Sequence, residues 1–304
     1  KVLEDDKYKD RDLFTIGESS SQPYLKYLGN GKDMFHAVFN FQTNRKFLDY
    51  VKYGTPYSSN DLFLIEADIV TRYVKDISKV EGAFYGTLLT NHDSFTAEDE
   101  KKLKRPFTLY DGDTEKTKLA GSIYLTMPGI PFVYYGEEYG MDTYTASKSD
   151  RWLRSCMQWD DSNNAGFTTK DKAWNLVNEN YKDYNVKRQD GDPNSILTHY
   201  RSLINIRKNN IALSLGSYQT INTQSKNKKT TAAFIRELGN NKIFVLLNFS
   251  SKKENITLDL TGTLLENKEI KFNKLMGRYQ KVDQKKNIVT FTQVNPFDTI
   301  VLSY

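Results

Sequence analysis

Short apolar runs punctuate the first half of the chain. Leu13–Ile16 runs into Gly17-Glu18, Met34–Phe41 forms a second run, Ala83–Thr90 leads into Asn91-His92-Asp93, and Ile130–Tyr135 leads into Gly136-Glu137-Glu138. Each reads as a buried strand. Between them the spacing turns helical. Leu62, Ile65, Ile69, Tyr73 and Ile77 share one face over 61–80, with Asp61 as N-cap, and Thr114–Met127 reads as a helix capped by Asp113 or Thr114. Near-continuously apolar strands alternating with helices predict a parallel sheet covered on both faces. Residues 141–194 are loop-rich and hold all three tryptophans, Trp152, Trp159 and Trp174. Ser195–Lys208 then reads as a helix entered through a capping box at Asp192–Ser195.

After Leu215-Gly216 the period changes to two. Thr231–Arg236, Ile243–Phe249, Asn255–Leu260, Asn287–Thr292 and Thr299–Tyr304 alternate between polar turns such as Gly239-Asn240-Asn241. That pattern predicts an antiparallel β-sandwich of roughly 90 residues. The expected division is an α/β unit over 1–211 and an all-β unit over 212–304.

Composition narrows the class of function. Of 304 residues 38% are apolar and 27% charged, which excludes disordered and collagen-like chains. One cysteine, Cys156, excludes an internal disulfide framework and a cysteine-rich zinc site, and three histidines (His36, His92, His199) argue against a multi-histidine metal centre. Of the candidates for a membrane helix, the longest, Ser122–Tyr135, is broken by Pro128, Gly129 and Pro131, so no membrane partner is expected. The net charge of +5 divides unevenly. Residues 1–210 carry 29 basic and 31 acidic side chains, a net of −2, and residues 211–304 carry 14 and 7, a net of +7. The excess lysines (226, 228, 229, 252, 253, 285 and 286) scatter among Asn, Gln and Ser, as on hairpin loops and strand edges. They read as solvated surface, and no nucleic-acid partner is expected.

Two acids stand out because each lies just past the carboxyl end of a predicted parallel strand: Glu18 and Asp93. In a (β/α)8 barrel that rim collects catalytic groups. From position alone, strand-end capping is the somewhat better reading of both. His92, directly before Asp93, is placed to hydrogen-bond a substrate hydroxyl.

At this point the sequence resembles a family. Phe14-Thr-Ile-Gly-Glu-Ser-Ser20, Leu89-Thr-Asn-His-Asp-Ser94 and the segment Met127–Met141 (MPGIPFVYYGEEYGM) look like the fifth-, seventh- and eighth-strand motifs of the α-amylase superfamily, glycoside hydrolase family 13. Met157–Phe167 (MQWDDSNNAGF), Asn178–Tyr181 and Asp192–Leu197 resemble its α-glucosidase and oligo-1,6-glucosidase branch. The resemblance implies the C-terminal half of a TIM (β/α)8 barrel, strands five to eight, followed by an antiparallel β-sandwich. It implies that Glu18 is the general acid/base, Asp93 the transition-state stabiliser, His92 a substrate-binding neighbour and Arg154 an arginine beside the bound terminal glucose. Arg154 has a second reading as the anchor of a loop through a salt bridge. Tyr134, Tyr135, Glu138, His36 and His199 read as structural.

The sequence departs from the family pattern at Ser94 and Ser155-Cys156. The larger departure is that only seventeen residues precede Glu18, so the fourth-strand nucleophilic aspartate has no counterpart here. The expectation is therefore a retaining glycosidase acting on α-glucan or on malto- and isomalto-oligosaccharides, present as a portion that is inactive alone. No cofactor or metal is expected in this chain; a calcium ion would belong to the N-terminal half. Barrel edges without neighbours would promote self-association. No compartment is implied. The rival readings are a non-catalytic family relative of the amino-acid-transporter heavy-chain type, an α-amylase acting on starch, and a carbohydrate-binding module in residues 212–304.

Overall fold

A computed structural model describes residues 7, 11, 13–19, 24–29, 34–54, 69–93, 104–144, 153–223 and 230–304. Its first sheet has four strands, β1 (Ile16–Gly17), β2 (Ala37–Phe39), β3 (Phe84–Thr87) and β4 (Ile130–Pro131), in spatial order β1-β2-β3-β4. All three pairings are parallel, with Gly17 opposite Val38, Val38 opposite Tyr85 and Gly86 opposite Ile130. The strands are shorter than the apolar runs that predicted them. Leu88 and Leu89 are buried beyond the end of the β3 ladder, because an apolar side chain needs cover and not a hydrogen-bonded neighbour strand.

Helices cover one face. Helix α1 (Phe41–Tyr53) follows β2 at once, and α2 (Ile69–Ile77) precedes β3. The first part of the predicted 61–80 helix, with its Asp61 cap, lies outside the described residues. Val38 and Tyr85 pack with Phe47, Val51, Val70 and Tyr73 from these helices. Helix α1 was not anticipated. Its polar stretch Gln42–Lys46 hides the helical spacing of Thr43, Phe47 and Val51, all buried. The other face of the sheet is only half-buried. There Gly86 leaves room for Ile16, Phe39 and Phe132, and a Cβ on it would lie 2.8 Å from Ile16 Cδ1 and from Phe39 Cδ1. Among the described residues, the expected cover on both faces is thus complete on one face alone.

After the short α3 (Pro106–Leu109), helix α4 (Thr114–Thr126) starts where Asp113 accepts hydrogen bonds from Glu115 N and Lys116 N, both at 3.0 Å. A further short helix, α5 (Val186–Gln189), precedes α6 (Ile196–Asn209). Ser195 caps α6 through Thr198 N at 3.0 Å. Thr198 occupies the position where a capping box needs Glu or Gln, so the cap is one-sided. Helices α4 and α6 are joined by Ser122 Oγ and His199 Nε2 at 2.8 Å. Burial, with Lys118 nearby, pushes the His199 imidazole down to about 4, so it is neutral in this contact. His36 bonds Thr15 N through Nδ1 at 3.0 Å and stacks on Phe14, a packing role at the β1–β2 junction.

Helix α7 (Ile211–Leu215) leads into an eight-stranded antiparallel sheet in the order β10-β11-β8-β5-β6-β7-β12-β9. Its strands are β5 (Gln219–Thr223), β6 (Thr231–Leu238), β7 (Asn241–Asn248), β8 (Glu254–Asp259), β9 (Asn273–Met276), β10 (Lys281–Lys285), β11 (Ile288–Val294) and β12 (Thr299–Ser303). β5 turns the corner, pairing with β6 through Gln219–Ile221 and with β8 through Asn222 and Thr223. The two-residue alternation sorts the side chains. Ala232, Phe234, Ile243, Val245, Leu247 and Val301 join the helical core, while Ala233, Ile235, Phe244, Leu246, Ile300 and Leu302 meet Ile256, Leu258, Val289 and Phe291 across the turned sheet. β6 and β7 are buried on both faces along their middles, which is why Ala232–Ile235 and Ile243–Leu247 are unbroken apolar runs. β5, β9 and β10 were not anticipated, because their polar residues give little contrast to a period of two.

Among the described residues no helix is long and apolar enough to cross a membrane.

Candidate active site

The parallel register puts Glu18 and the segment after β3 on one rim. Glu18 follows Gly17, whose row continues through Val38 to Tyr85. β3 then runs on to Thr87, and the chain stays buried through Leu88, Leu89 and Thr90 before emerging at Asn91-His92-Asp93. β1 and β3 are separated by β2, so their exits are about 10 Å apart at the usual strand spacing.

Three of the four expected site residues come together. Arg154 Nη2 lies 3.3 Å from Asp93 Oδ1, and His92 Nε2 lies 3.1 Å from Asp93 Oδ2. Asn91 Oδ1 accepts from Asp93 N at 3.0 Å and closes a local turn that presents the carboxylate. The Asp93 side chain is 56% exposed and that of Arg154 38%. Among the described residues, no hydrogen bond or ion pair joins the exposed Glu18 to this trio. Chemically, a carboxylate held between a guanidinium and an imidazole offers acceptors and donors to adjacent hydroxyls of one polyol.

The backbone under the trio is held by buried polar groups that sequence reasoning passed over. Glu137 accepts at Oε1 from Thr90 N at 3.2 Å and from the Thr90 hydroxyl. Burial pushes the Glu137 carboxyl up to about 8; the Thr90 bonds and the Arg105 charge oppose that shift, and neighbouring Glu138 reinforces it. Arg105 is fully buried and donates to Tyr135 O and, at 2.7 Å, to Leu153 O. Its guanidinium sits 4.6 and 4.8 Å from the ring centres of Tyr134 and Tyr135. Tyr134 donates to Leu153 O at 2.6 Å and Tyr135 to Ser155 O at 2.8 Å, which fits the structural reading of both. Glu138 is half-buried, and burial raises its carboxyl above the usual range. Glu137 was visible in the motif as half of a Glu-Glu pair. Arg105 ends the basic run Lys101–Arg105, in which nothing in the sequence marks one charge for burial.

On the far side of Arg154, Asn175 Nδ2 donates to Arg154 O at 2.5 Å and Cys156 N to Leu176 O at 2.8 Å. The segment pinned in this way carries Trp174, 75% exposed, and the adjoining loop carries Trp159, 49% exposed.

A four-stranded parallel sheet with polar groups gathered at its carboxyl ends, followed by antiparallel layers, describes a class of α/β proteins with sites at that rim. Comparison with known proteins identifies the family. Residues 2–216 match the model of the α-amylase catalytic domain, and the chain belongs to the α-amylase family. It is 30% identical over 293 residues to α-amylase 3 of Dictyoglomus thermophilum, covering 96% of this chain and 51% of that protein. It is 31% identical over 173 residues to an oligo-1,6-glucosidase of Bacillus cereus, covering 46% and 30% of the two. Over 157 residues it is 32% identical to the amino acid transporter heavy chain SLC3A1 of Rattus norvegicus, covering 49% and 22%. The crystal structure of an α-amylase from H. orenii shares the fold with a TM-score of 0.73 at 24% identity, over 97% of this chain and 54% of that one. The chain thus spans about half the length of the α-amylases it matches.

Proposed function

We propose that this chain is the C-terminal portion of a retaining glycoside hydrolase that cleaves α-glucosidic bonds in α-glucans or in malto- and isomalto-oligosaccharides. The observation that carries the reading is the Asp93 carboxylate held by His92 and Arg154 at the rim of a parallel sheet. On this reading residues 1–211 are the second half of a (β/α)8 barrel, β1 to β4 being strands five to eight, and 212–304 are a β-sandwich domain. Asp93, His92 and Arg154 bind hydroxyls of the terminal glucose, and Asp93 also stabilises the oxocarbenium-like transition state. Glu18 protonates the glycosidic oxygen and later deprotonates water. Retention needs a nucleophilic carboxylate about 5–5.5 Å from the acid, close to one strand spacing. A residue on the strand preceding β1 in the barrel would meet that distance, and no position in this sequence matches it. A calcium ion, if the enzyme uses one, belongs to that other half, and no nucleic-acid or membrane partner is required.

Isolated chain should therefore bind maltose at the rim but leave a chromogenic α-glucoside intact. Titration followed by NMR should perturb His92, Asp93 and Arg154, and Asp93→Asn should abolish the effect. Absence of maltose binding would sink the site assignment, and robust turnover would sink the claim that the portion is inactive. Exposed Trp174 offers an apolar face of the kind that stacks on sugar rings. Trp174→Ala should weaken maltose binding while leaving thermal stability unchanged, as expected for a side chain 75% exposed.

The transporter-type reading is disfavoured because Glu18, His92 and Asp93 are all retained. The starch-acting reading differs only in substrate length.

A further inference from the structure

Asp93 and Arg154 stand on separate segments and meet through one 3.3 Å contact between exposed side chains. A pair of that kind contributes about 0–1 kcal/mol, too little to align two loops. Something beneath them must set their separation. Both segments trace back to the stretch Tyr134–Glu137, which follows β4.

We infer that Glu137 and Arg105 act together as a buried positioning pair, Glu137 fixing the Thr90–Asp93 segment and Arg105 fixing the Leu153–Ser155 segment so that Asp93 and Arg154 face each other. The claim rests on the proposed sugar-binding role of the trio. Glu137 Oε1 takes both donors of Thr90, backbone and hydroxyl, three residues before Asp93. Arg105 holds Leu153 O, one residue before Arg154, and also Tyr135 O, two residues before Glu137. Tyr134 and Tyr135, packed edge to face, both meet the guanidinium and bond Leu153 O and Ser155 O themselves. One short stretch of chain thereby reaches both partners.

Chemistry explains why an acid sits here. Glu137 Oε2 finds no hydrogen-bond partner among the described residues, so ionising the group would leave a buried charge with one oxygen unpaired. Glu138, Arg105 and the buried phenols of Tyr110, Tyr124 and Tyr200 surround it electrostatically. A neutral acid supplies an acceptor to Thr90 without setting a full negative charge against Glu138.

The test uses the full chain and three variants. Glu137→Gln keeps the Oε1 acceptor, Glu137→Leu removes it at similar volume, and Thr90→Val removes only the hydroxyl from the opposite side. Backbone amide signals of 91–93 and 153–155, recorded without sugar, report position; a maltose titration reports its consequence. Glu137→Leu and Thr90→Val should move or broaden the 91–93 signals and weaken maltose binding by about tenfold or more, in line with the cost of a small misplacement. Glu137→Gln should leave both readouts at wild-type values, a rescue that a requirement for charge does not give. Folded Glu137→Leu with unchanged 91–93 signals would overturn the inference. If that variant does not fold, unchanged signals in Thr90→Val overturn it instead. Wild-type protein that ignores maltose refutes the sugar-site reading separately, because the amide signals are read in its absence.

Discussion

Glu137 shows at the scale of one residue how burial turns an ordinary side chain into a pH-sensitive one. Its carboxyl moves from 4.5 to about 8 on folding, mainly through loss of solvent. Below about 4.5 the acid is protonated in the folded and the unfolded chain alike, and its ionisation contributes no difference in stability. As pH rises from there to about 8 the unfolded chain ionises while the folded one stays protonated, so stability falls; above that window the loss is complete. The difference corresponds to at most roughly 5 kcal/mol. Glu137→Gln cannot ionise. Urea denaturation across pH should show the variant gaining on wild type through that interval and running parallel to it on either side; a gap independent of pH refutes the assignment. At this scale the sequence was partly legible. His92, Asp93 and Arg154 could be picked out as residues and the structure brings them together, but the carboxyl and guanidinium beneath them look in sequence like any other surface charges.

Elements are joined by two buried arginines whose hydrogen bonds, among the described residues, go to backbone carbonyls. Arg207, on α6, donates to Leu125 O, Met127 O and Gly129 O, and Arg236, on β6, donates to Thr126 O, Leu213 O, Gly216 O and Ser217 O. These carbonyls end α4 and α7, where backbone acceptors lack intrahelical donors and the helix dipole favours a cation. Burial lowers Arg207 to about 10 and, with repulsion from Arg207 added, Arg236 to about 9. Arg236→Met keeps much of the stem and leaves four carbonyls without this donor. It should destabilise the protein by about 3–5 kcal/mol in chemical denaturation; a change below 1 kcal/mol would refute the latch. Predicted and observed elements agree where a cap or a continuous apolar run marks them, as in α4, α6, β6 and β7. They part where neither signal is present. Lys281–Lys285 forms β10 because Ile288–Val294 lies beside it, and its own residues do not declare a strand.

At the scale of the whole molecule, the parallel sheet is covered on one side only among the described residues. Val38 and Tyr85 are sealed under helices, whereas Phe14, Met34 and Phe35 are 40–49% exposed and Ile16, Phe39 and Phe132 half-buried. β1 and β4 are the two outer strands of the sheet. Apolar surface and strand edges of this kind recruit other chains. Sedimentation velocity over a concentration series should show reversible dimers or larger species, and a monomer throughout would refute the idea.

The sequence by itself determined the class of fold, the family, the near-continuous apolar strands and the residues gathered at the rim, because periodicity and local motifs are written in consecutive positions. Only the tertiary structure decided which charges are buried, which strands pair at an edge and what holds Asp93 against Arg154. Those outcomes depend on desolvation and on partners as far apart as Thr90 and Glu137 or Thr126 and Arg236, and no local window of sequence contains both members of such a pair.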